Sequence, residues 1–329
     1  MTRKLPVAAL LALTAAVVLA SCADVSRRDQ LSSGQWRKMA NTLEREGTTD
    51  ALVTAALIRE AQLRDSAAAM VSLDNALKLN PQQPDATWIA LNVCSATAGC
   101  ATAPYATKLA ELDPGNAAAH YPDLSAARAR GDVAAEDQAL SRMANAGYFD
   151  ICWSRLLTRV TDTLTQPRGT SRRPLRVLPQ AAMETIGWLA ADAIPPFTST
   201  VHTCRDERLK REDVVAWCRK LAGVMDNSDT VIATMMARAI AKPVWAPESA
   251  EAAKFRERSR ESNYVREALE PYNKEEVLNT AQSMQRWVDR FRTNRSEREV
   301  YRQWLKELGI PPDPPADWVS KAAAEKQGG

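Results

Sequence analysis

Apolar residues run almost unbroken from Leu5 to Ala20, a polar stretch follows from Ala23 to Gln35, and thereafter apolar positions return at three- and four-residue steps. Ala51, Leu52, Ala55, Ala56 and Leu57 mark one helical stripe ending near Arg64. After Asp65 and Ser66 a second runs through Ala69, Leu73, Ala76, Leu77 and Leu79 and stops before Pro81. Further helices are predicted at Gln180 to Ala193, Arg211 to Met225, Asp226 to Lys242, Glu248 to Tyr264, Lys274 to Phe291 and Glu297 to Leu308. Asn227, Ser228 or Asp229 is expected to cap the third of these, with Pro243 beyond its end. Trp287, Tyr301 and Trp304 are expected in the core. Pro311, Pro312, Pro314 and Pro315 predict an extended tail, with Trp318 folding back as an anchor and Ala323 to Gly329 fraying. The pattern as a whole predicts an all-α chain.

The opening segment has the order of an export signal: Arg3 and Lys4, the short apolar run, then small residues. Its end, Leu19-Ala20-Ser21-Cys22, resembles the lipobox of bacterial lipoproteins. The resemblance implies removal of residues 1–21 and attachment of lipid to Cys22, with acyl chains such as palmitate. Two or more chains anchor stably where one does not. Ala23, rather than Asp, follows the cysteine, which by resemblance to bacterial sorting rules implies the periplasmic face of the outer membrane. Residues 22–48 would then be a tether and a lead-in helix.

Ala69, Leu73, Ala76 and Pro81 resemble the second-helix pattern of the tetratricopeptide repeat. Tyr105, Lys108, Leu109, Leu112, Asp113 and Pro114 look like the end of a second unit. Gly131 and Asp132 with Ala135, Leu140 and Met143 look like the turn and second helix of a third. Pro81 and Pro114 lie 33 positions apart, close to the ~34-residue period of that family. Leu57 and Glu60 depart from it, standing where a small residue and an aromatic are expected, and Cys94 to Cys100 interrupts the middle unit. The resemblance implies tetratricopeptide-like hairpins over 49–165, a linker at 166–178, a second helical domain over 179–310 and a Pro-rich tail at 311–329. It also implies a concave protein-binding face on the first helices of the hairpins.

Composition places the chain among folded proteins, 45% hydrophobic and 25% charged. The formal charge is +3, and near +1 without Arg3 and Lys4. Such a balance argues against a nucleic-acid partner, which calls for a concentrated basic face. Arg168, Arg172, Arg173 and Arg176 cluster among Pro167, Gly169, Thr170, Ser171 and Pro174, a composition that reads as a solvated linker.

With Cys22 taken by lipid, Cys94, Cys100, Cys152, Cys204 and Cys218 remain, and an exported chain can form disulfides. Cys94 and Cys100 bracket five small residues that can turn tightly, which predicts that they pair. Within one helix, fourteen residues would separate Cys204 from Cys218 by roughly 21 Å, against a Cα separation of ~5.5 Å in a disulfide. They can pair only if His202 to Arg205 folds back on a helix that begins near Lys210 to Asp213. Cys152 is then left as a buried small hydrophobe. No Cys-x2-4-Cys spacing occurs and the two histidines, His120 and His202, lie far apart, so no metal site is expected.

No Gly-x-Ser-x-Gly elbow or Gly-x-x-x-x-Gly-Lys loop is present, and Ser228 and Asp229 read as a helix start. Glu184 with Asp192, or Glu275 with Glu276, has no spacing that sets it apart from surface carboxylates. The expectation is therefore a non-enzymatic, lipid-anchored scaffold or adaptor without a cofactor, binding an envelope protein or peptide, with Trp88 as an exposed or semi-buried anchor. The alternative is a cell-wall or glycan hydrolase, which would show itself as two carboxylates facing each other in a deep cleft.

Overall fold

The computed structural model describes residues 31–170, 172–275 and 280–327. Residues 1–30, and with them the expected leader and Cys22, lie outside the described residues. The chain is all-α, 74% helical, with sixteen α-helices and no strand among the described residues. None of these helices is long and apolar enough to cross a membrane.

Local chemistry sets the first half. Ser32 and Gln35 form a capping box that starts α1 (Ser33–Glu46), so the expected tether already turns helical at Ser33. Thr48 caps α2 (Thr49–Leu63) by accepting from the Ala51 amide, and Asp65 caps α3 (Ser66–Leu79) through the amide of Ala68. Pro84 begins α4 (Pro84–Ala96), and α5 (Ala103–Leu112) follows it. A 3-10 turn at Ala117–His120 leads into α6 (Tyr121–Arg130), which ends at Gly131 with φ 68°. The left-handed conformation there lets the Asp132 amide reach back to the Ala127 carbonyl at 3.0 Å. Asp132 then caps α7 (Val133–Ala144). Each predicted hairpin of this half therefore forms where its turn residues place it.

The second half begins with α8 (Trp153–Thr165) and α9 (Leu178–Asp192), which pack on each other. A short α10 (Thr198–Thr203) and a 3-10 turn at Asp206–Lys210 precede α11 (Glu212–Asp226) and α12 (Val231–Val244). Thr230 caps α12, not Asn227, Ser228 or Asp229, and Pro243 lies inside its last turn rather than beyond it. Helix α13 (Ala250–Glu275) runs past Tyr264 and through Pro271. After it come α14 (Ala281–Thr293), α15 (Glu297–Glu307) and α16 (Lys321–Gln327). Val277 and Leu278 of the expected stripe lie outside the described residues. Trp318 does fold back, its ring meeting that of Tyr264 edge-on at 5.4 Å. The segment expected to fray carries α16, whose first residue binds Glu267 and Glu270 of α13.

Buried residues of both halves form one contiguous cluster, so no second core begins beyond residues 166–178. In α2, residues Ala51 to Ile58 are all buried, and α4 is buried from Asp85 to Leu91. A helix buried on every side belongs inside a core. The cover is α8 and α9, which pack against α2 while α9 also meets α4. The first helices are therefore closed by the chain's own second half and do not form the open concave face that the repeat resemblance implies. Trp88 is 0% exposed, its indole nitrogen donating to the Ala193 carbonyl at 3.1 Å. It is a core residue, not an exposed or semi-buried anchor.

The 166–178 segment is tied down as well. Arg168 pairs with Glu46 at 2.7 Å, and Arg176 pairs with Glu184 and lies 5.8 Å over the Trp36 ring. Both side chains are mostly buried, which corrects the solvated reading for these two, while Arg172 and Arg173 are exposed as expected. Composition reports that a segment lacks periodic structure, not whether its charges meet partners.

Candidate functional site

Three segments distant in sequence meet where α7 gives way to α8, α11 to α12, and α14 to α15. Asn116 fixes the first: its side chain donates to the Asp150 carbonyl at 2.7 Å and accepts from the Asp150 amide at 3.0 Å. Asp150 turns its carboxylate back to the Cys152 amide at 2.6 Å, and Cys152 takes φ 62° at the start of α8.

Asp229 comes from the second segment and accepts from the amides of Ile151 and Trp153 at 3.1 and 2.8 Å. The Trp153 amide is an orphan donor of the first turn of α8 and that of Ile151 lies just before it, and a carboxylate placed there also answers the positive end of the helix dipole. Glu297 of the third segment repeats the device. Its carboxylate accepts from the Val231 amide at 2.7 Å, the first residue of α12, while its own amide donates to the Asp229 carbonyl at 2.9 Å. Helix α15 starts from a capping box of Ser296 and Glu299. Two helices are thus capped by acids from another part of the chain.

Burial pushes the Asp229 carboxyl well above its ordinary range, and the neighbouring Asp150 adds to the rise. Glu297 is raised to about 7, by burial first, against the pull of the Val231 amide and the Tyr301 hydroxyl. Tyr301 is in turn pushed up by burial and by Glu297.

Above this acid seam lies a cleft of about 490 Å³. Arg258 reaches Asp226 at 3.4 Å and Glu261 at 3.0 Å, and Arg298 reaches the same Glu261 at 2.7 Å. Arg302 pairs with Asp313 at 2.7 Å. Arg295, 65% exposed, lies 4.7 Å over the Tyr148 ring and 3.1 Å from Asp150. It also borders a second cavity, of about 520 Å³, lined by Cys152, Ser154 and Arg155. Cys152 there is buried, its sulfur accepting from Arg155 at 3.0 Å, and burial raises its thiol well above the ordinary value. Such a thiol is a poor nucleophile.

The residues singled out from sequence fall elsewhere. Cys94 and Cys100 stand at disulfide distance, 5.3 Å between Cα atoms, and Cys204 and Cys218 at 5.7 Å, where the chain turns back after α10 through the 3-10 turn that packs on α11. Glu184 is held by Arg176. Asp192 is raised to about 6 by burial and by Glu60, apart from Glu184. Glu275 and Glu276 cannot be compared, because Glu276 lies outside the described residues. Among the described residues no three His, Cys, Asp or Glu side chains converge as a metal ion requires. Of the cleft residues, Asn227, Ser228 and Asp229 carry an assignment from sequence, as a helix start. The available signal was Arg295, Arg298 and Arg302, spaced to line one edge of a helix start. No family model, curated protein or solved structure matches the chain.

Proposed function

We propose that the protein is a lipid-anchored scaffold or adaptor of the bacterial cell envelope, and that its binding face is the arginine-lined cleft rather than the concave side of its hairpins. Leader and lipobox resemblance supply the anchor at Cys22 and the address at the outer membrane. Hairpins of tetratricopeptide type supply a stiff body, with α8 and α9 filling the groove where such arrays hold a partner.

A single observation carries the choice of binding over hydrolysis. Asp150 and Asp229 are neighbouring carboxylates beneath a cleft, yet their oxygens are engaged by the amides of Ile151, Cys152 and Trp153 and by Arg295. An acid or base for glycosidic chemistry needs an oxygen free to reach substrate. These serve as caps.

A photo-crosslinking amino acid at exposed Glu299, expressed in intact cells, is expected to capture a discrete envelope protein, and one at Val71 (61% exposed, on α3) is not. Capture should weaken in Cys22→Ser, which lacks the anchor. Cleavage of a cell-wall or glycan substrate by the purified chain, lost in Asp150→Asn, would replace this reading with the hydrolase.

A further inference from the structure

The outer face of α1 carries charge that the fold does not use. Arg37, Lys38 and Arg45 fall within about 100° of arc, on the side away from the buried Trp36, Met39, Ala40 and Leu43, and all three are exposed. None of them enters an ion pair among the described residues. Helix α1 has two acids, Glu44 and Glu46, and both turn aside to basic partners on other segments: Glu44 to Arg59 at 2.9 Å and Glu46 to Arg168 at 2.7 Å. The second of these pairs brings to the end of α1 a turn at 168–173, closed by the Arg168 amide donating to the Arg173 carbonyl at 3.1 Å. Arg172 and Arg173 in that turn are exposed and likewise without an ion pair among the described residues. These five cations on or beside one helix have no acid to answer them.

Position along the chain says what meets them. Helix α1 is the first described helix, and Leu31 stands nine residues after Cys22. Nine residues reach at most ~32 Å, whatever their conformation. A lipid on Cys22 therefore holds α1 within that distance of the headgroups. An anionic lipid surface strengthens attachment roughly fivefold for each Lys or Arg that comes near it, and the attraction fades beyond a Debye length of ~8 Å. Acyl chains hold the protein to the membrane, and a basic face then decides which side of it meets the lipid.

We infer that the outer face of α1, with the 168–173 turn beside it, docks on the anionic phospholipid headgroups of the leaflet that holds the Cys22 lipid. The inference rests on the lipid anchor proposed above and adds the orientation in which that anchor presents the folded body. Pairing of Glu44 and Glu46 with Arg59 and Arg168 is part of the device, because it removes from this helix the acids that an anionic surface would repel.

The test uses the lipidated full-length protein on vesicles of phosphatidylcholine, alone or mixed with phosphatidylglycerol, each carrying a headgroup nitroxide as quencher. A fluorescent amino acid replaces exposed Thr170 in one sample and, as a reference on α7, exposed Val133 in another. Thr170 fluorescence is expected to be quenched more than Val133 on the anionic vesicles, and no more than Val133 on the neutral ones. The triple variant Arg37→Gln, Lys38→Gln, Arg45→Gln should lower the ratio of docked to undocked protein ~100-fold and abolish the difference, as should molar salt. All three replaced side chains are exposed, so the variant is expected to keep the fold, and an unchanged circular dichroism spectrum checks it. Protein that floats with both vesicles but shows equal quenching at Thr170 and Val133 keeps the anchor and overturns the docking alone. Quenching at Thr170 that is equal on neutral and anionic vesicles overturns it too, as does a difference that survives in the triple variant. Basic residues that are needed for binding purified cell wall but not for quenching would make this a polymer-binding face instead. Protein that floats with neither vesicle carries no lipid, and removes the anchor and the docking together.

Discussion

Helices α2 and α4 are buried mostly by alanine, leucine, valine and isoleucine, with Thr54, Thr87 and a lone carboxylate, Asp85, among them and one tryptophan whose indole has a single polar partner, whereas the seam joining residues 148–153, 226–231 and 294–298 gathers several carboxylates. The two regions sit in the same core and solve different problems. In the hairpins the backbone groups of the helix interiors pair within their own helix, adjacent side chains such as Thr48 and Asp65 cap the starts, and apolar area does most of the packing. At the seam three helices begin close together, each with amides that have no partner of their own, and no apolar side chain can answer them. The polar seam is the price of bringing those helix starts together, and it leaves the charged cleft above.

Truncating each region at its centre tests the contrast. Trp88→Ala should have the largest effect, about 4 kcal/mol lost, because a fully buried ring leaves a cavity and the Ala193 carbonyl loses its donor. The midpoint of urea unfolding reads this, with an unchanged slope showing that the whole core still melts together. A loss below ~1 kcal/mol would mean that α9 does not close over α4 in solution.

Asp229→Ala should cost somewhat less, about 3 kcal/mol, since it orphans the amides of Ile151 and Trp153 and leaves little void. Its particular signature is local. Hydrogen exchange at the first turn of α8 should accelerate while α2 and α4 stay protected. Uniform acceleration would erase the distinction between seam and hairpins.

This contrast also explains what was legible in the sequence. Ala51 to Ile58 and Ala69 to Ala76 announce helices by periodicity, and Asp65, Gly131 and Asp132 announce turns, because these signals act within a few residues. The same stretch, apolar from Ala51 to Ile58 but for Thr54, carries the signal of all-round burial as well. The seam is written in another way. Asn227, Ser228, Asp229 and Thr230 are four consecutive cap formers, and the sequence cannot say which caps its own helix and which caps another 76 positions away. The partners of Arg168 and Arg176 are hidden for the same reason: Glu46 and Glu184 reach them only through the fold. Long-range polar partners carry no periodicity, and the cleft is made almost wholly of them.

Glu297 gives the smallest and most diagnostic effect, because it sets the seam's response to pH. Its carboxyl is raised to about 7 in the fold, from the ordinary value of 4.5. Between these values the folded chain holds a proton that the unfolded chain has released, so stability must fall as pH rises through that window and level off above it. The residue is partly exposed although its carboxylate is turned inward, so the full shift overstates the effect. A loss of about 2 kcal/mol between pH 4.5 and 7 is the expected size. Asp229, also raised, contributes a slope of the same sign. Glu297→Gln keeps an oxygen for the Val231 amide and removes the titration, so its stability curve should be shallower than that of the unaltered chain without becoming flat. Neither hairpin substitution should alter the slope: Trp88→Ala should shift the whole curve down in parallel. Parallel curves for Glu297→Gln as well would place the pH response outside the seam, and a steeper curve would mean that the carboxyl is held below its ordinary value rather than above it.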